Sequence, residues 1–95
     1  MKIQNNGFGK DDKIIFPVNF DLKVIMHTQP DPQMSIAELE SLLVVLKIPF
    51  KNWRHKPSAK GTYTSFTVNI DLVSDALMKK LYVDLRTVPG FKMAI

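Results

Sequence analysis

Residues 56–72, KPSAKGTYTSFTVNIDL, constrain the fold more than any other stretch of the chain. From Thr62 the even positions Thr62, Thr64, Phe66, Val68, Ile70 and Leu72 become steadily apolar, while Tyr63, Ser65, Thr67, Asn69 and Asp71 stay polar. This period of two marks a strand with one face in a core and the other in water. The residues just ahead carry turn chemistry: Pro57 fixes its own φ, Ser58 can bond a nearby amide, and Gly61 accepts a positive φ. A partner strand must lead into such a turn, and residues 50–56, FKNWRHK, are placed to be it. They lack clean alternation and carry the charge with which edge strands discourage further pairing.

The other elements follow from the same patterning. Residues 19–27 set Phe20, Leu22, Val24 and Met26 on one strand face, with Asn19, Asp21, Lys23, Ile25 and His27 on the other. Pro30 and Pro32 then impose a loop, because neither can continue a ladder. Ser35 and Glu38 form a capping-box pattern that predicts a helix beginning there, with Met34 stapled on Leu39. Ile36, Leu39, Leu43 and Leu46 make its apolar stripe, widened by Leu42 and Val45, until Ile48 and Pro49 end it. Ser74 caps a second helix, with Asp75 in its first turn, Val73 stapled on Met78, and Leu77, Leu81 and Leu85 on one face flanked by Met78 and Tyr82. Pro89 and Gly90 are expected to stop it, and residues 91–95 alternate as a last strand.

Strand, helix, strand, strand, helix, strand describes two right-handed crossovers joined by a central hairpin. The expected fold is α+β: a ferredoxin-like βαββαβ sandwich with a four-stranded antiparallel sheet, order 4-1-3-2, and both helices on one face. With 95 residues there is room for a single core. That domain is assigned to residues 14–95, and residues 1–13, polar and rich in turn formers, are read as a mobile tail.

Chemistry-bearing motifs are sparse. The chain has no cysteine, hence no disulfide, thiolate nucleophile or cysteine metal site. His27 and His55 are expected near one end of the sheet, about 10 Å apart across the third strand, too far for a chelating pair. No G-x-S-x-G, H-E-x-x-H, Walker-type or G-x-G-x-x-G pattern occurs, and Gly7 and Gly9 fall in the polar tail. The expectation is a protein that is not an enzyme and uses no metal or cofactor. No apolar run suits a signal peptide or a membrane span, so the expected location is the cytoplasm.

Two surfaces stand out. Helices on one side leave the opposite sheet face open, with Asp21, Lys23, Ile25 and His27 beside Tyr63, Ser65, Thr67 and Asn69. It is either solvated or a face for a second copy, a protein partner or nucleic acid. On the basic strand, Lys51, Trp53, Arg54, His55, Lys56 and Lys60 gather four positive charges, an imidazole and the only tryptophan within ten residues. That combination can grip phosphates and stack a base. The plainer reading tucks Trp53 over the margin of the core. The third strand also lacks the aromatic ladder of an RNA-recognition motif, because Tyr63 and Phe66 fall on opposite faces.

The segments KPSAKGTYTS at 56–65, FPVNFDLKVI at 16–25, KLYVDL at 80–85 and the closing VPGFKMAI resemble the YbeD-like family of small bacterial proteins of unknown function, over residues 16–95. The resemblance implies a ferredoxin-like domain similar to ACT regulatory domains, which sense small metabolites and often associate through their sheets or edges. It also implies a possible tie to lipoate metabolism. Where ACT domains usually carry a glycine in the loop after the first strand, this chain has HTQPDPQ, which argues against their usual amino-acid site. The functional expectation is a small regulatory or interaction domain, acting by metabolite sensing or by contact with a protein or a second copy, with nucleic-acid binding as the alternative. The residues assigned to a site are Ser58, Lys60, Gly61, Tyr63 and Ser65. Much of that motif also serves the hairpin itself.

Overall fold

A computed structural model describes residues 15–95; the tail assigned to residues 1–13 and the first residue of the expected domain, Ile14, lie outside the described residues. The elements are β1 (Val18–His27), α1 (Pro32–Val45), β2 (Phe50–Pro57), β3 (Tyr63–Leu72), α2 (Asp75–Leu85) and β4 (Phe91–Ala94). They form one four-stranded sheet in the order β2-β3-β1-β4, all neighbours antiparallel. This is the expected 4-1-3-2 order counted from the other edge. The chain has the α+β, βαββαβ architecture with an ACT-like arrangement.

The central pair carries the core. β1 and β3 run in continuous register from Val18 opposite Leu72 to His27 opposite Tyr63. Their inward side chains Leu22, Val24, Met26, Phe66, Val68, Ile70 and Leu72 are buried against Ile36, Leu39 and Leu43 of α1 and Met78, Leu81 and Leu85 of α2. One cluster thus takes its members from both helices and from one sheet face. Val45, expected on the α1 stripe, is instead 74% exposed.

The helix ends differ from the sequence reading in instructive ways. α1 starts one turn early: Asp31 is its N-cap, accepting from the Gln33 amide at 2.9 Å, and Pro32 opens the first turn. Proline is favoured at that position because its missing N–H is not needed there. Ser35 is therefore inside the helix and not its cap, and its hydroxyl is buried with no hydrogen-bond partner. Met34, moved into the first turn, stays 51% exposed and makes no staple; Val73 is likewise 65% exposed.

The end of α1 is set by Lys47, not by Ile48 and Pro49. Lys47 adopts the left-handed conformation at φ 59°, its amide bonds the Val44 carbonyl at 3.0 Å, and the Ile48 amide bonds Leu43 at 2.9 Å. That paired closure is a Schellman motif, with Ile48 and Leu43 both buried in the core. α2 begins as expected, with the Ser74 hydroxyl accepting from Leu77 N at 3.1 Å and Asp75 in its first turn. It closes at Arg86, ahead of Pro89 and Gly90, through short-range bonds such as Thr87 N to Asp84 O at 3.0 Å. Gly90, at φ 84°, turns the chain into β4.

The uneven β2 has a physical cause. Its register on β3 shifts between Lys51 and Arg54, where Asn52 takes φ 60°. This is a β-bulge on an edge strand, and asparagine tolerates the left-handed region better than most residues.

Two substitutions test these ends. Ser35→Ala removes a buried hydroxyl without a partner, so urea unfolding should show a gain of about 1 kcal/mol; a loss of that size would mean that the hydroxyl acts as a cap after all. Lys47→Gly relieves the left-handed strain and should also stabilise, by up to about 1 kcal/mol after the extra chain entropy of glycine is counted. A destabilised variant would contradict the Schellman closure.

Candidate functional site

Directly paired residues on neighbouring strands project to the same face, so the registers map the open side of the sheet row by row. Asn19 faces Asp71; Asp21, Asn69 and Lys51 make the next row; then Lys23, Thr67 and Arg54; then Met93, Ile25, Ser65 and Lys56; and last His27 and Tyr63. No helix covers this side. Its two ends differ in chemistry.

The end carrying Asn19 and Asp71 is internally satisfied. The Asn19 amide donates to Asn69 and Asp71, both at 2.7 Å, and the Asn69 amide donates to Asn19 and Asp21, both at 3.0 Å. Arg54 donates to Asp21 at 3.1 Å, an ion pair with both partners well exposed. The Asn69 bond, reinforced by Arg54, holds the Asp21 carboxyl below its ordinary value of 3.8.

At the hairpin end lies an open depression of about 580 Å³, lined by Lys23, Ile25, Lys56, Pro57, Ser58, Ala59, Tyr63 and Ser65. The His27 and Tyr63 rings touch beside it at a 44° tilt with centroids 4.9 Å apart, and Lys92 Nζ sits 5.8 Å from the Tyr63 centroid. Three of the five residues assigned from sequence, Ser58, Tyr63 and Ser65, meet here, and Lys60 and Gly61 do not line it. Ser58 serves the turn: its hydroxyl accepts from Tyr63 N at 3.2 Å, and its backbone pairs with Tyr63 O at 2.7 Å and Gly61 N at 2.9 Å. Gly61 holds φ 74° with open space where a Cβ would stand, so its requirement is the backbone angle alone. The Ser65 hydroxyl donates to the Lys56 carbonyl at 3.3 Å. Tyr63 and Ser65 are half-buried on the open face, with no turn role for their side chains.

The residues that sequence reasoning left out of this site are Lys23 and Ile25 of β1, Lys56 and Pro57 of β2, and Ala59 of the turn, Lys56 having been assigned only to the basic strand. Lys23 and Ile25 were legible as open-face positions. What was missing was the register that sets Ile25 opposite Ser65, and through it beside Lys56.

The basic strand does not present its residues together. Its register puts Lys51, Arg54 and Lys56 on the open face, while Trp53 and His55 point to the helix side, beside Phe50 and Phe66. Trp53 packs at the margin of the core and its indole donates to Glu40 of α1 at 3.1 Å. His27, opposite Tyr63, and His55, opposite Phe66, both lie toward the hairpin end of the sheet as expected, but on opposite faces. Among the described residues no cluster of three or more histidine, aspartate or glutamate side chains is placed to hold a metal ion. Among the described residues no helix is long and apolar enough to cross a membrane.

The Asp21 pairing has a pH signature. A carboxyl depressed in the folded state adds stability above its unfolded value, and that stability is lost as pH falls through the folded one. The exposed pair limits the effect to less than about 1 kcal/mol. Between about pH 5 and about pH 3 the parent protein should lose more unfolding free energy than Asp21→Asn; equal losses would show that the pair is not formed in solution.

Several known proteins share this architecture. The solution structure of protein HP0495 from H. pylori superposes with a TM-score of 0.70 at 22% identity, over 90% of this chain and 89% of that one. The C-terminal domain of the MgtC protein from Mycobacterium tuberculosis gives 0.64 at 16% identity, over 88% and 89%. At these identities the likeness concerns the fold. In sequence, a UPF0250 protein of Shewanella woodyi is 29% identical over 86 residues, 90% of this chain and 93% of its own length. A UPF0250 protein of Vibrio parahaemolyticus is 29% identical over 85 residues, 88% of each chain. Residues 11–95 match the family described as "Protein of unknown function (DUF493)", so the chain belongs to that family, the same one that the YbeD-like segments pointed to.

Proposed function

We propose that this domain is a non-catalytic regulatory module that binds a small metabolite in the depression at the hairpin end of its open sheet face. The observation that carries the reading is the convergence of three segments on one concave spot: Lys23 and Ile25 from β1, Tyr63 and Ser65 from β3, and residues 56–59 from β2 and the turn. Its volume, about 580 Å³, is in the range of small-molecule sites. The ACT-like fold supports a sensing role, and the link to lipoate metabolism that the YbeD-like resemblance implies puts lipoyl and acyl compounds beside amino acids in the first panel to try. Two features speak against catalysis as the main role. Neither histidine has a carboxylate partner among the described contacts, and the serine hydroxyls near Tyr63 are engaged with backbone groups.

A thermal-shift screen of amino acids, acyl compounds and lipoyl compounds, followed by amide chemical-shift mapping, tests the proposal. At least one compound should raise the melting temperature in a concentration-dependent way, since a ligand at 100 times its Kd adds about 2.7 kcal/mol. The same compound should move the signals of residues 56–65, and Tyr63→Ala should abolish the response while the domain stays folded. Shifts confined to the helix side, or no response from any compound, would sink the reading.

A further inference from the structure

We infer that the ligand of this depression is a small organic anion with an apolar body; the inference rests on the depression being the binding site. Charge is sorted along the open face. Asp21 and Asp71 sit in the first two rows, where Asn19, Asn69 and Arg54 already satisfy them. No carboxylate lines the depression, and among the described residues neither Lys23 nor Lys56 forms an ion pair. The two lysines stand on strands that flank β3, opposite Thr67 and Ser65 respectively. Two strand spacings across β3 and two residues along it separate their Cα positions by about 12 Å, so an anionic group lying over β3 falls within reach of both flexible side chains.

The remaining lining sets the rest of the ligand. Ile25, Pro57 and Ala59 offer carbon to an apolar body next to that charge. Ser65 gives its hydroxyl proton to the Lys56 carbonyl, while Ser58 accepts the Tyr63 amide and keeps its own proton to offer an anion. A cation would find two like charges and no counter-charge. A nucleic acid strand would find no row of rings to stack on, since Trp53 packs at the margin of the core with its indole bonded to Glu40 and leaves Tyr63 alone among aromatic side chains lining the depression.

Four probes separate charge from shape: benzoate, phenyl phosphate, benzylamine and acetate, each titrated against the isotopically labelled protein. Benzoate or phenyl phosphate should move the amide signals of Lys23, Ile25 and residues 56–65, and whichever binds more tightly tells a carboxylate ligand from a phosphate. Acetate, lacking the body, should bind roughly tenfold more weakly, the equivalent of about 1.4 kcal/mol. Benzylamine should leave these signals unmoved. Lys56→Gln and Lys23→Gln should each weaken benzoate binding severalfold, with Lys56→Arg restoring it. If benzylamine binds as well as benzoate, the depression remains a site and the anion assignment falls. If none of the four moves these signals, the assignment also falls, and the metabolite screen decides separately whether the depression binds anything.

Discussion

Everything in this structure depends on the register of β1 against β3. The two strands pair without interruption over their whole length, and the alternation of side chains is in phase on both. A slip of one residue would turn Leu22, Val24 and Met26 outward and bring Lys23 and Ile25 under the helices. The burial of the inward set, at roughly 25 cal/mol per Å² of apolar surface, opposes such a slip strongly. That same phase brings Lys23, Ile25, Tyr63 and Ser65 to one face. Core and candidate site are two readings of one alternation.

How much of this could be read from the chain alone varied with how local the cause was. β3 was plain because its alternation is complete within eleven residues, and the Ser74 cap because a serine followed by Asp75 and an apolar stripe has few other uses. The sequence reading settled on Ser35 because Ser35 with Glu38 completes a capping-box pattern. The structure decides for Asp31, since the proline after it suits the first helical turn. Lys47 gave no signal, because a left-handed closure normally announces itself with glycine or asparagine. The depression was half legible. Ser58, Tyr63 and Ser65 are neighbours in sequence, whereas Lys23 and Ile25 reach them only through pairing with residues some forty positions away.

The open face also shows how one sheet can hold two kinds of polar surface. At one end asparagine side chains are spent on carboxylates, which fixes strand positions and leaves little to offer a partner. At the other, lysines and a tyrosine surround a patch of carbon. The tilted His27 and Tyr63 ring pair closes the face at that end.

The bulge at Asn52 has a consequence beyond edge protection. Because it places two β2 residues opposite one on β3, it reverses the facing of everything downstream: Trp53 turns toward α1 and Arg54 and Lys56 turn away. A chain lacking one residue there would turn Trp53 and His55 to the open face and Arg54 and Lys56 toward the helices, so it would need apolar residues in their place. Length variation at this single spot is therefore a route by which proteins of this fold can acquire different surface specificities.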